Sequence, residues 1–106
     1  MPIDQLHQSR KLTDTEQADL IRRALTAWHS AGDAVPPEAA REPVAGRTAT
    51  KAQKAPDDGT EPHLLHFVVV HAGLHILAVY RVRQVNEYFM LRRMVRPPKD
   101  LVRLKG

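Results

Sequence analysis

The sequence predicts an α+β protein: an N-terminal amphipathic helix, a disordered Pro/Ala-rich linker, and a three-stranded antiparallel β-meander followed by a segment able to form a short C-terminal helix. Three observations carry this reading. Apolar residues recur at helical spacing over 13–31, residues 32–62 hold almost no large apolar side chain, and β-branched residues crowd the stretch that follows.

The helix has the strongest local signals. Thr13-Asp14-Thr15-Glu16 matches a capping box, in which a hydroxyl accepts from the third backbone N–H while the Glu carboxylate reaches back to the cap. Ala18, Ile21, Ala24, Leu25 and Trp28 then fall on one face at the helical period, with Leu20 beside them. Asp14, Glu16 and Asp19 lie early and His29 late, the order that a helix dipole favours, and Gly32 supplies a stop. Ile21, Leu25 and Trp28 are the expected anchors of a core or of a dimer contact. Residues 1–12 are polar and read as a flexible N-terminus.

Residues 32–62 contain five prolines and three glycines but no Ile, Leu, Met or aromatic residue. A segment of this kind buries too little apolar area to offset its ordering entropy, so a disordered linker is expected.

Residues 63–106 form a basic, β-rich module. LLHFVVVH, LHILAVYRVR and FMLRRMVR are separated by Ala72-Gly73 and the polar QVNEY, which suggests a meander. For the first connection, a two-residue loop at Ala72-Gly73 and a wider loop over 71–75 both fit. Alternation on the second strand puts Ile76, Ala78, Tyr80 and Val82 on one side and Leu77, Val79, Arg81 and Arg83 on the other. Beyond Pro97-Pro98, Leu101, Val102 and Leu104 are spaced for a short helix over 99–105.

Composition narrows the function classes. The 106 residues carry a net charge of +4 and no cysteine, which excludes disulfides and thiolate zinc sites. Apolar runs such as 67–70 fall far short of the roughly 20 residues of a membrane span. Residues 1–10 lack the apolar stretch of a signal peptide, so no membrane role and a cytoplasmic location are expected. With about 60 residues able to fold, the core is small, and homodimer formation is the expected additional source of stability.

Charge is distributed unevenly. Residues 64–106 hold eight Lys/Arg against Glu87 and Asp100, a net of +6, whereas residues 1–63 have a net of −2. Arg81, Arg83, Arg92, Arg93, Arg96 and Lys99, interleaved with Tyr80, Tyr88 and Phe89, are candidate phosphate contacts, because guanidinium forks match phosphate oxygens and release condensed counterions. A two-stranded ribbon can enter the DNA major groove, which places DNA ahead of RNA. The competing explanation is that these charges solvate the sheet and guard its edges. His63, His66, His71 and His75 cluster in sequence, but no acid lies between Glu61 and Glu87 to complete a site, so neither a metal nor another cofactor is expected. A Gly-rich phosphate loop, a GxSxG elbow and a cysteine nucleophile are all missing, and the expectation is a non-enzymatic protein.

LAVYRVR followed by LRRMVR resembles the strand pattern of the RelE/ParE toxin superfamily. The resemblance implies a metal-free toxin acting on RNA through its sheet, and it assigns no catalytic role to any residue here. LAVYRV and LRRMVRPPKDL together are similar to the ends of short uncharacterised proteins of proteobacterial plasmids and integrative elements, which implies an accessory role in a mobile element. The expected function is that of a nucleic-acid-binding accessory or regulatory protein. A protein–protein interaction module is the first alternative and a toxin of the RelE/ParE kind the second.

Overall fold

The computed structural model describes residues 11–53 and 63–99. Helix α1, Asp14–Ala31, begins at the capping box: the Glu16 backbone N–H donates to Thr13 Oγ1 (3.1 Å) and the Thr13 N–H donates to Glu16 Oε1 (2.9 Å). It ends at Gly32, whose left-handed backbone lets its N–H bond the His29 carbonyl. Leu20, Ala24 and Trp28 are buried, Ile21 and Leu25 are half-buried, and Ala18 is exposed. The buried stripe therefore runs through Leu20, one helical step round from the centre that the sequence suggests.

Four strands follow a short 3-10 turn at Pro37–Ala39: β1 (Val44–Gln53), β2 (His63–Ala72), β3 (His75–Val85) and β4 (Tyr88–Arg93). They form one antiparallel sheet in the order β1-β2-β3-β4. The three-stranded meander is thus corrected, and so is the disordered linker over 32–53, because β1 lies inside it; residues 54–62 of the supposed linker lie outside the described residues. Its composition is weak for a strand, yet an edge strand needs only one partner and one covered face. Every residue of β1 is in register with β2, from Val44 opposite Ala72 to Gln53 opposite His63. Val44, Gly46 and Thr48 face α1, and Thr48 Oγ1 donates to Gln17 Oε1 (2.9 Å). The helix expected over 99–105, and most of the flexible terminus expected over 1–12, fall outside the described residues.

Gly46 is where the helix comes closest to β1. A Cβ there would sit 2.9 Å from Ile21 Cγ2. Gly46→Val is expected to lower stability by about 1–3 kcal/mol through overpacking. Trimming the opposing side chain with Ile21→Ala should recover part of that loss, giving a non-additive double-mutant cycle in urea denaturation. Strict additivity would mean that β1 does not dock under α1.

The β2–β3 hairpin closes through Gly73-Leu74 rather than Ala72-Gly73, with Ala72 opposite His75 and Gly73 at φ 58°. Glycine at the first central position suits a two-residue hairpin turn whose twist matches the strands. One bulge interrupts the ladder: Val70 pairs Ala78, the next pair is His71 with Ile76, and Leu77 is the extra residue. The bulge turns Leu77 toward the helix side with Ala78 and leaves Ile76 on the far side, which corrects the simple alternation at these two positions.

The sheet buries side chains on both faces. On the helix face, Val68, Val70, Ala78, Tyr80 and Val82 pack with Leu20, Ala24 and Trp28. On the second face, Phe67, Val69 and Val79 form a separate buried cluster, with Ala49, Leu65, Ile76 and Met94 against it. No helix among the described residues is long and apolar enough to cross a membrane.

Candidate nucleic-acid interface

Strand parity divides the arginines. On β3, Arg81 and Arg83 alternate with the helix-facing Tyr80 and Val82, so they lie on the second face. On β4, Arg92 joins them, and the register sets Arg81 directly opposite Arg92 and Arg83 opposite Met90. Directly opposed residues bring their Cβ atoms to about 4.5–5.5 Å, where like charges destabilise the pair. None of the described carboxylates forms an ion pair with Arg81, Arg83 or Arg92. Arg83 and Arg92 are exposed and Arg81 is half-buried. Arg81, Arg92, Arg93, Met94 and Val95 line a shallow depression of about 260 Å³ where the chain leaves β4.

Arg93 belongs to a different environment. It pairs with Tyr80 in the register and so points to the helix side, where its guanidinium donates to the Asp33 carboxylate just past the end of α1. That bond raises the Arg93 pKa above its ordinary value, and burial raises that of the neighbouring Tyr80 phenol. Arg93 is therefore already neutralised, unlike Arg92 one residue before it. Arg96 and Lys99 follow β4 on exposed positions and are not part of the cross-strand set.

Sequence reasoning missed Arg47. It lies on β1 opposite Val69, a second-face residue, and is exposed with no ion pair to a described carboxylate. The signal for it is weak: Val44, Gly46, Thr48 and Thr50 share one parity and Ala45, Arg47, Ala49 and Lys51 the other, so only the two cations mark the second face. Arg22 and Arg23 sit on α1, where Arg22 pairs with Asp19 (2.5 Å) and Arg23 Nη2 donates to the Phe89 carbonyl of β4 (2.8 Å).

The remaining candidates disperse. Trp28 is 3% exposed within the helix-face core, with Ile21 and Leu25 packed against the same cluster, so all three serve this chain's own interior. His66 turns inward and shares a 3.0 Å hydrogen bond with Thr50 Oγ1. His71 Nδ1 donates to the Gly73 carbonyl (3.1 Å), His75 is exposed at the start of β3, and the His63 side chain lies outside the described residues. Among the described residues, no three His, Asp or Glu side chains converge as metal ligands. A second depression, of about 220 Å³, lies between α1 and β1 and is lined by Lys11, Leu12, Gln17, Thr48, Thr50 and Leu64. Its Gln17 amide donates to the Leu12 carbonyl and accepts from the Thr48 hydroxyl, and its Thr50 hydroxyl is bonded to His66.

No protein-family model, no curated protein and no solved structure matches this chain.

Proposed function

We propose that this is a non-enzymatic nucleic-acid-binding protein of the cytoplasm that holds the phosphate backbone against the second face of its β3–β4 hairpin. The observation that supports the reading is the Arg81–Arg92 cross-strand pair, two cations facing each other without a described carboxylate between them. A bridging phosphate relieves their repulsion and takes up both forks. Arg83 extends the cationic row on β3, and Arg47 adds a charge at the far edge of the same face.

Fluorescence anisotropy with labelled oligonucleotides at two salt concentrations tests this. Binding should weaken as salt rises, and the double variant Arg81→Ala/Arg92→Ala should lose at least about tenfold in affinity with a shallower salt slope. Arg22→Ala removes the same type of charge from the exposed side of α1 and should leave affinity within about twofold. An equal loss in the two variants, or no binding at low salt, overturns the proposal.

One feature favours the protein-interaction alternative. β1 is an edge of the described sheet, a template for strand addition by a second copy or another chain. Light scattering that shows a dimer disrupted by a proline at Thr48 would support it.

A further inference from the structure

We propose that the nucleic acid is single-stranded and that one of its bases stacks on the ring of Tyr88. This rests on the phosphate-binding reading above and specifies its substrate. The large apolar side chains of the strands are otherwise buried or half-buried, yet one corner of the second face is open. Tyr88 is 75% exposed, Met90 57% and Val85 44%. Val85 and Tyr88 are directly opposite across the β3–β4 hairpin, and Met90 stands on the same face one step along β4, opposite Arg83.

This corner continues directly into the cationic row. Along β4, Tyr88, Met90 and Arg92 project from the same face at steps of about 7 Å, so the Cα atoms of Tyr88 and Arg92 are about 13–14 Å apart. That span suits about two or three nucleotides, with a base on the ring and the following phosphates at Arg83 and at the Arg81–Arg92 pair. The described carboxylate nearest in sequence, Glu87, lies in the turn on the other side of Tyr88 from the arginines. It disfavours phosphate there and biases the strand toward the arginine end.

A duplex cannot use this corner equally well. Its bases are stacked inside, so an exposed tyrosine ring on a sheet face would meet only sugar and phosphate edges. A single strand offers an unstacked base to the ring, and stacking of this kind tolerates any sequence because every base has a π-face.

The test uses the full chain, a labelled twelve-nucleotide oligothymidine and a labelled twelve-base-pair duplex, titrated at 50 and 200 mM salt. The single strand should bind more tightly than the duplex. Tyr88→Ala should weaken the single strand by about 5- to 100-fold, leave the duplex unchanged and preserve the salt slope, whereas Tyr88→Phe should retain affinity. Arg81→Ala/Arg92→Ala should instead reduce that slope. Equal affinity for both forms with an inert Tyr88→Ala overturns the stacking proposal while leaving the arginine reading intact. Absence of binding to either form removes both. A dimer in light scattering that Tyr88→Ala dissociates, with single-strand affinity unchanged, would assign the corner to a second copy and overturn the proposal.

Discussion

Trp28→Ala is expected to cost about 3–5 kcal/mol, enough to leave much of the protein unfolded at 37 °C. Trp28 sits at the end of the Leu20–Ala24–Trp28 stripe and joins α1 to the helix face of the sheet. Removing the indole leaves a cavity in a small core that its neighbours cannot close. Trp28→Phe should cost far less. The Trp28 Nε1 proton is buried without a hydrogen-bond partner among the described residues, so losing it recovers part of a desolvation penalty of about 1–3 kcal/mol. Urea denaturation followed by circular dichroism distinguishes the two variants, since the natural fluorophore is lost in both. A loss as large for Phe as for Ala would mean that the indole nitrogen has a partner.

The second large effect is expected on the opposite face. Phe67→Ala should also cost about 3–5 kcal/mol, although α1 does not touch that side. Phe67 is 2% exposed and packs with Val69 and Val79 beneath Leu65, Ile76 and Met94. An aromatic residue on a solvated sheet face would lose well under 1 kcal/mol on truncation. Leu65→Ala, at a half-buried position beside it, should fall between these limits. Thermal unfolding of the three proteins measures the series, and a small effect at Phe67 would show that the second face is not a packed layer. The arginine proposal depends on this layer, because a rigid floor of Phe67 and Val79 holds the Arg81 backbone in register opposite Arg92.

The sequence already carried the sign of two-sided burial. A strand exposed on one face alternates, whereas 67–70 runs Phe-Val-Val-Val without interruption, the pattern of a strand covered on both sides. It was legible as a strand, but not as evidence of a second core, because that depends on Ile76 and Met94 arriving from distant positions. The same limit hid β1. Its alanines and threonines carry little hydrophobic signal, and counting large apolar residues mistakes a modest edge strand for a linker. The arginine set was legible in charge and only partly in place. Adjacent residues on a strand point to opposite faces, so Arg92 and Arg93 leave β4 on different sides. That Arg93 is the one neutralised depends on Asp33 lying just beyond α1.

Helix α1, its cap and its stop were determined by the sequence alone, since capping bonds and side-chain spacing act within one or two turns and need no other part of the chain. The excess of positive charge in the C-terminal half was equally explicit. Tertiary structure alone decided that residues 44–53 join the sheet, that a bulge exchanges the faces of Ile76 and Leu77, and that Arg81 meets Arg92. The physical reason is that a weak strand gains its hydrogen bonds and its covered face only from partners remote in sequence. Its stability therefore exists only once the sheet and the helix have come together.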